Sequence, residues 1–580
     1  MPHQAQHRAL FSLLLVCASL AAGCSGDAAG PGPREEPKED STKVVSVPDP
    51  ATAKTVGFFL NDWSARTFVA PEFTEAAVPA TATVTVTVDA SSVLARVPST
   101  IFGHNANSWM TRMVDQPAFL SHVTALRPNV IRFPGGSLSD VYFWNASPAA
   151  PPRDVPEALV NADGSPHANP YWLGRVNNGW QASVDDYYAT LQATQSQGMI
   201  VVNYGYARYG TSADPVAAAA HLAAEWVRYD NGRTKYWEVG NEGFGDWEAG
   251  YRIDPARNRD GQPALITGRL YAQHFKVFAD SMRKAARDIG RTIHLGAVLY
   301  DAEPQSWNTT AVKTWNAGMI PELAGAHDFF VVHSYFTPYA ENSDALTILS
   351  AAAAEPSRLM TFAKGEMQRH GAEEKPVALT EWNMWASGAM QQVSNVSGLF
   401  AVIAQGEAIK HGFGLAARWD LLNGWDSGND HGLFSDGGEP GVAKWTPRPS
   451  FHYMYYFQRT MGDRMIPTTS TSGNVRAYAS TYSSGQVAVA IVNTGAAAQA
   501  VELTFRNFAR GNRLYWYALE GGTDNGEFSR KVSVNGATTS GVAGGPDGYA
   551  SIKARSALTA GGTRVTVPGR GAVFVMIDRR

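Results

Sequence analysis

The segment TKYWEVGNE, residues 234 to 242, has the pattern of a short apolar β-strand that ends in a turn carrying a carboxylate. Seven further segments share this pattern, and helical stretches separate them along the chain. These segments are STIFGHNAN (99 to 107), NVIRFPGG (129 to 136), MIVVNYG (199 to 205), IHLGAVLYD (293 to 301), DFFVVHSY (328 to 335), PVALTEW (376 to 382) and GLAARWD (414 to 420). Eight apolar strands alternating with helices predict an α/β fold, a parallel (β/α)8 TIM barrel over residues 96 to 455.

A second domain is indicated after residue 456, where the helical stretches stop. Segments such as QVAVAIVNTG and GAVFVMID alternate apolar and polar residues between Gly, Ser and Asn turns. This pattern predicts an all-β sandwich over residues 456 to 580, which we expect to support the barrel rather than to bind sugar independently. The N-terminal segment 55 to 95 contains TATVTVTVDA (81 to 90), and we expect its strands to join the same sandwich.

The N-terminus has the features of an export signal. An apolar run, ALFSLLLVCASLAAGC, ends at Cys24 and is too short for a permanent membrane-spanning helix. We interpret residues 1 to 23 as a lipoprotein-type signal peptide with lipidation of Cys24, or alternatively as an ordinary secretory signal cut near Ala22. Residues 24 to 54, rich in Pro, Gly and charge, predict a flexible linker. The protein is then exported and touches a membrane only through its lipid anchor.

Bulk composition excludes other partners. The chain has 580 residues, 44% of them hydrophobic, and a formal charge of -4, so it can bury a large core and has no basic field that would attract nucleic acid. Its two cysteines, Cys17 and Cys24, lie in the signal segment, so the folded body is expected to have no disulfide. The oligomeric state is left open.

Two glutamates stand where barrel enzymes carry their reactive groups. Glu242 ends the fourth predicted strand and Glu381 ends the seventh, so both are expected at the mouth formed by the carboxyl ends of the strands. Glycosidic bond cleavage uses two such carboxyl groups, one protonated to assist the leaving oxygen and one ionised to attack or to activate water. Glu238 is an even number of residues from Glu242 and so faces the same side of the strand, but it lies deeper in the barrel. We expect it to pair with Arg132 inside the barrel.

The motifs around these glutamates resemble clan A of the glycoside hydrolases. YWEVGNE and TEWNMW, preceded by IFGHNAN and IRFPGG, are most similar to family 51, the α-L-arabinofuranosidases, over residues 96 to 390. The resemblance implies a retaining double displacement without a cofactor, in which Glu242 is the acid/base and Glu381 the nucleophile.

The neighbours of the two glutamates then take expected roles. Asn241 would bond the sugar hydroxyl next to the reacting carbon, and Arg132 would lower the pKa of Glu381. Tyr335 would donate a hydrogen bond to the nucleophile, and His333 would pack beside it. The remaining candidates for substrate binding are His104, Asn107, Trp144, Trp247, Trp382, Trp385 and Trp419.

The positions at which the sequence departs from family 51 bear more on sugar recognition than on the two catalytic glutamates. Asn107 stands where the arabinofuranosidases carry glutamate, Ser137 where they carry asparagine, and Thr380 where an aspartate commonly precedes the nucleophile. The first two positions help to grip the terminal sugar in that family. Asp430 and His431 are adjacent but have no further ligands at suitable spacing, so we expect no metal site.

The leading interpretation is an arabinofuranosidase-like retaining hydrolase of polysaccharide or oligosaccharide. An endo-acting glycanase of the same clan, of xylan or glucan type, would use the same glutamates. A non-catalytic glycan-binding lipoprotein is a second class. A polysaccharide lyase is a third, with Tyr335 or His333 as base and Arg132 neutralising a uronate, but it leaves the paired glutamates without a role.

Overall fold

The structure is a computed structural model that describes residues 56 to 168 and 171 to 580. The predicted signal peptide, the linker and Cys24 lie outside the described residues. Within the described part of the chain, no helix combines the length and the apolar character needed to cross a lipid bilayer.

Eight parallel strands close into a barrel, which confirms the predicted fold class. Each strand pairs with its neighbours in sequence, and the eighth pairs with the first. The barrel strands are β1 (Gly103–Asn105), β2 (Val130–Phe133), β3 (Gln197–Val202), β4 (Thr234–Val239), β5 (His294–Val298), β6 (Phe329–Tyr335), β7 (Val377–Asn383) and β8 (Leu415–Arg418).

Helices connect the barrel strands and cover the outside of the barrel. They are α1 (Pro117–Ala125), α2 (Val184–Thr194), α3 (Gly205–Tyr209), α4 (Pro215–Asp230), α5 (Gly268–Asp288), α6 (Thr310–Leu323), α7 (Ala345–Arg369), α8 (Asn395–Lys410) and α9 (Pro449–Thr460). In α5 the residues Tyr271, Phe275, Phe278 and Met282 recur at helical spacing and form one buried apolar stripe.

Helix α9 crosses the predicted domain boundary at residue 455 and continues to Thr460. Every residue of α9 except Arg459 is buried, because the helix packs against both α8 and the strands of the second domain. An aromatic helix at this position is part of the joint between the two domains, so it does not end where the barrel ends.

The amino end of the barrel is closed by an aromatic plug. A 3-10 helix, Gly57–Leu60, inserts Phe59, which is fully buried against Tyr236, Phe329 and Leu415 near the starts of their strands. The carboxyl ends of the strands therefore form the open end of the barrel.

The second domain is a sandwich of two sheets. One sheet has nine strands: Phe73–Glu75, Ala554–Leu558, Arg510–Gly521, Gly571–Arg579, Val487–Asn493, Val475–Thr481, Arg464–Ile466, Ala95–Arg96 and, beside Arg510–Gly521, Val532–Val534. The other has four: Thr468–Ser470, Val84–Asp89, Gln499–Arg506 and Arg564–Val567. Three strands that precede the barrel in sequence are thus paired with strands that follow it.

Two short strand pairs lie in the long connection after β2. Tyr142–Phe143 pairs with Trp172–Leu173, and Ala158–Val160 pairs with Pro166–Ala168. A 3-10 helix, Ser137–Val141, begins this connection directly after the strand.

Candidate active site

A glycine turn delivers Glu242 to the mouth of the barrel. Strand β4 ends at Val239, and Gly240 follows with φ +77°. A Cβ atom on Gly240 would lie 2.7 Å from the Cβ of Tyr204, so both the backbone angle and the packing require glycine. Glu242 comes two residues later.

Glu242 and Glu381 meet at this mouth with His333 between them. The three side chains each offer an atom within 4.8 Å of the others. The Nδ1 atom of His333 lies 2.8 Å from Oε1 of Glu242 and 3.9 Å from Oε2 of Glu381. The side chain of Glu242 is 17% exposed and that of Glu381 is 8% exposed, so the acid nearer to solvent is Glu242.

Two hydrogen-bond donors and Gly136 border the carboxylate of Glu381. The hydroxyl of Tyr335 donates to Oε1 over 2.6 Å, and Nη1 of Arg132 lies 3.5 Å from Oε2. A Cβ atom on Gly136 would lie 3.4 Å from the same Oε2, so any other residue at this position would occupy the space beside the carboxylate. The carboxylate is therefore oriented through both oxygens.

Arg132 is fully buried and organises the floor of the site. Its Nε atom donates to Glu238, its Nη1 to Asn105, and its Nη2 to Asn241, with distances of 2.9, 2.8 and 3.0 Å. The expected pairing of Arg132 with Glu238 is confirmed by these contacts. Because these three side chains bind one guanidinium, its position is fixed by the barrel interior.

Burial and charge move the pKa values of the central groups in different directions. Burial raises the pKa of Glu242, but the hydrogen bond and positive charge of His333 outweigh it, so the pKa lies below its ordinary value. For Glu381, burial outweighs the opposing charges of His333 and Arg132, so its pKa lies above its ordinary value. Arg132 thus acts in the expected direction on Glu381 but does not decide the balance.

The pKa of His333 is shifted in the direction that favours its protonated form. Burial lowers the pKa of its imidazole, but the charge of Glu381 and the hydrogen bond to Glu242 outweigh burial, and the pKa is raised above its ordinary value. The two carboxyl groups and the imidazole therefore exchange protons as one coupled group.

The same three residues also have the residue types of a metal site. Two carboxylates and an imidazole are suitable ligands for a divalent cation. However, the guanidinium of Arg132 lies 3.5 Å from both Glu381 and the Nε2 atom of His333. A fixed positive charge at this distance opposes a second cation, so the group fits proton transfer better than metal binding.

Three tryptophans from the predicted set border the two glutamates. Trp247 is 60% exposed, and its Nε1 donates to Oε2 of Glu242 over 3.1 Å. Trp385 stacks on Tyr335 with ring centroids 4.6 Å apart. Trp419 approaches Gly136, because a Cβ atom there would lie 3.3 Å from its ring.

The structure corrects three other predictions of substrate contact. Trp144 is buried against Trp226 of α4 and donates its Nε1 to a backbone carbonyl. Trp382 is 1% exposed and packs in the core beside Phe400. On β1, Asn105 faces the interior of the barrel, and successive side chains of a strand point to opposite sides. His104 therefore lies on the outer side of the barrel, where burial lowers its pKa to about 3.

Asn107 and Ser137 both bind protein groups. Asn107 is buried and donates to Oδ2 of Asp420 over 2.5 Å. Ser137 donates to Oε1 of Glu248 over 2.7 Å. Burial, with the charge of Asp430, raises the pKa of Asp420 well above its ordinary value.

Polar residues outside the predicted set surround Asn241 and Arg132. Glu248 accepts from the Nδ2 atom of Asn241 over 2.9 Å, and Asp140 accepts from the backbone N–H of Asn241 over 3.3 Å. Asn105 bonds Arg132 from β1. Only the alternation of β1, which puts Asn105 on the inner face, was visible in the sequence, whereas the loop residues Asp140 and Glu248 carry no local signal.

A hollow of about 410 Å³ lies elsewhere, between the end of α8 and the sandwich. It is lined by Glu407, Lys410, Arg476 and Tyr478 among others, and Glu407 is the single acidic residue of its lining. It does not provide paired carboxylates, in contrast to the mouth of the barrel.

By sequence, no known family and no curated protein matches the chain. By structure, it is similar to an α-L-arabinofuranosidase from Thermotoga maritima, with a TM-score of 0.60 and 16% identity over 85% of this chain and 99% of that one. A family 51 arabinofuranosidase from Xanthomonas axonopodis pv. citri gives a TM-score of 0.58 at 16% identity, covering 86% and 100%. The chain has the fold of these glycoside hydrolases.

The similarity extends to other glycosidases of this fold. A bifunctional glucanase-xylanase from a metagenome library gives a TM-score of 0.53 at 14% identity, covering 86% of this chain and 99% of that chain. The likeness to family 51 that the motifs indicated is confirmed at the level of the fold. Because one fold carries several glycan specificities, the choice of sugar has to be argued from the site.

Proposed function

We propose that the protein is a retaining glycoside hydrolase acting on polysaccharide or oligosaccharide, with Glu242 as acid/base and Glu381 as nucleophile. The observation that carries the proposal is the approach of the two carboxylates, with an oxygen of each within 4.8 Å of the other at the barrel mouth. Retaining enzymes hold these groups about 5 to 5.5 Å apart, whereas inverting enzymes separate them by roughly 6.5 to 9.5 Å to admit water. The observed spacing favours retention.

In the first step, a carboxylate oxygen of Glu381 attacks the anomeric carbon while the glycosidic bond breaks. Glu242 gives a proton to the departing oxygen. His333 bonds Glu242 directly, so a proton held by either member of this pair can reach the departing oxygen through Glu242. The product is a glycosyl ester on Glu381 and a released alcohol.

In the second step, water attacks the ester and Glu242 accepts its proton. Ester formation removes the negative charge of Glu381 from beside Glu242, and a neutral neighbour disfavours the ionised form of Glu242 less than a carboxylate does. The pKa of Glu242 then falls, and the residue changes from acid to base.

The finer assignment is an arabinofuranosidase-like activity, and it rests on the motif resemblance and on the fold. Asn107 and Ser137, at two sugar-gripping positions of family 51, are engaged by Asp420 and Glu248 in this chain. Sugar recognition by these two positions would therefore differ from that in the family.

An endo-acting glycanase is the second candidate, favoured by exposed aromatics on both sides of the glutamates. Trp247 is 60% exposed beside Glu242, the side that faces the leaving group. Tyr339 is 77% exposed and packs edge-on against Trp385, which stacks near Glu381. Exposed aromatic faces suit the stacking of sugar rings, and platforms on both sides suit an internal stretch of a glycan chain.

The lyase alternative is disfavoured by the same geometry. Arg132 is buried and bonded to three protein side chains, so it does not face a uronate. Tyr335 donates to Glu381, and burial raises its pKa well above the ordinary value, so its hydroxyl does not act as a base.

A panel of aryl glycosides and polysaccharides with product analysis tests the proposal. Monosaccharide release indicates the arabinofuranosidase-like activity, oligosaccharides indicate the endo-acting glycanase, and an ultraviolet-absorbing unsaturated end indicates a lyase. Retention is read from the anomer formed first, by NMR. Binding to glycans without any product would leave the non-catalytic lipoprotein as the answer.

Two variants test the roles. We expect Glu381→Gly to abolish turnover, because no nucleophile remains. We expect Glu242→Ala to keep the first step on substrates with good leaving groups and to recover with azide, because an external nucleophile replaces the missing base. Equal losses that azide does not rescue in either variant would contradict these roles.

We also propose that Cys24 is lipidated and anchors an exported protein at a membrane surface. The support is the apolar run that ends at this cysteine. Cys24→Ser is expected to move the protein from the membrane fraction to the soluble fraction. An unchanged distribution between the fractions would count against the anchor.

A further inference from the structure

Glu248 is a buried acid that the mechanism above does not use. It lies in the loop after β4 and is 4% exposed. Its Oε1 atom accepts from the hydroxyl of Ser137 over 2.7 Å and from Nδ2 of Asn241 over 2.9 Å. Its Oε2 atom has no hydrogen-bond partner among the residues that the structure describes.

These contacts fix the orientation of the Asn241 amide. A guanidinium only donates hydrogen bonds, so the atom that faces Nη2 of Arg132 has to be the oxygen of Asn241. The amide nitrogen then faces Glu248 and uses one of its two hydrogens there. The second hydrogen remains for a ligand.

The surroundings of Glu248 favour its neutral form. The groups that face it are Ser137, Asn241, Asp140 and Glu242. Burial, followed by the negative charges of Asp140 and Glu242, raises the pKa of Glu248 well above its ordinary value. A neutral carboxyl group still accepts both observed bonds through its carbonyl oxygen.

We propose that Glu248 is a positioning residue that fixes the Asn241 amide, so that its free N–H bonds the sugar hydroxyl next to the reacting carbon. The inference rests on the proposed glycosidase function. It also gives a role to Ser137, which stands where family 51 carries asparagine: the serine bonds the acid that holds Asn241. The bond from Asn241 to the sugar strengthens as charge develops in the transition state, so a small change in the amide orientation affects the rate.

The test compares two variants on two substrates. Glu248→Met keeps the length of the side chain and removes both oxygens, whereas Glu248→Gln keeps a carbonyl oxygen in the same place and serves as the matched control. Each is assayed on an aryl glycoside that the wild type hydrolyses and on the same glycoside lacking the hydroxyl next to the anomeric carbon. Thermal unfolding of each variant checks that it is folded.

For Glu248→Met we expect kcat/KM to fall on the order of 30-fold on the complete substrate, the effect of one hydrogen bond to a developing charge. On the deoxy substrate we expect a change below about threefold, because the bond that Glu248 supports is absent from every variant. Glu248→Gln is expected to stay within about threefold of the wild type on both substrates. If Glu248→Met does not fold, Ser137→Ala replaces it, with the same substrate-dependent difference expected at a smaller size.

Equal losses on both substrates would overturn the inference, because they indicate a general structural role. A loss in Glu248→Gln as large as that in Glu248→Met would overturn it as well, because it would require an ionised Glu248. Absence of hydrolysis by the wild type on every glycoside is a separate outcome that refutes the proposed function itself.

Discussion

Replacing Tyr335 by phenylalanine isolates the strongest hydrogen bond to the proposed nucleophile. The hydroxyl donates to Oε1 of Glu381 over 2.6 Å, and the ring is held by stacking on Trp385. Tyr335→Phe removes the donor and keeps the ring, so the carboxylate loses one charge-assisted bond while the pocket keeps its shape.

The magnitude follows from that bond. Hydrogen bonds to a charged group contribute about 1.5 to 3 kcal/mol, so we expect kcat/KM to fall roughly 10- to 150-fold. The lost donor also raises the pKa of Glu381, about one unit for each 1.4 kcal/mol. Because Glu381 has to be ionised to attack, the acid limb of the pH profile of kcat/KM should move to higher pH.

The assay is the pH dependence of kcat/KM on an aryl glycoside with a good leaving group. Tyr339→Phe is the matched control, since Tyr339 packs on the same Trp385 and donates to no described residue. An unchanged acid limb in Tyr335→Phe would refute the role of Glu381 as the ionised nucleophile. Movement of the alkaline limb instead would indicate that the two glutamates have exchanged roles.

Three further changes have expected outcomes. Trp247→Phe removes a donor to Glu242 and should raise its pKa, so the alkaline limb of kcat/KM moves to higher pH; a shift of the acid limb alone would contradict this. Burial lowers the pKa of His452 to about 3 from 6.5, so the stability that the neutral imidazole contributes is present above pH 6.5 and is lost as pH falls toward 3. Between neutral pH and about pH 5, the wild type should therefore lose roughly 2 kcal/mol of unfolding free energy relative to His452→Phe, as measured by denaturant titration. A difference in unfolding free energy between the two proteins that does not change with pH would refute the linkage. Arg530→Ala removes a bond of 2.9 Å from the sandwich to buried Glu439 and should cost about 1.5 to 3 kcal/mol of unfolding free energy; an unchanged melting temperature would show that this contact does not join the domains.

The sequence by itself determined the barrel and the identity of its two central acids. Strand and helix periodicities are local, so the eight strands were visible in short windows of sequence. Glu242 and Glu381 follow from the strands that carry them, because the ends of parallel strands gather at one mouth. The pairing of Glu238 with Arg132 was predicted from the alternation of side chains along their strands alone.

Tertiary structure alone decided what surrounds the two acids. Trp144 and Trp382 are of the residue type that stacks on sugars, but both are buried in the core. Whether a tryptophan near a strand end faces the solvent or the core depends on the packing of its neighbours in space. Asp140 and Glu248 reach Asn241 from loops whose course depends on long-range packing. The pKa values of Glu242 and Glu381 likewise depend on burial and on the position of His333. Burial and charge act through distances in space, and no local pattern of residues encodes those distances.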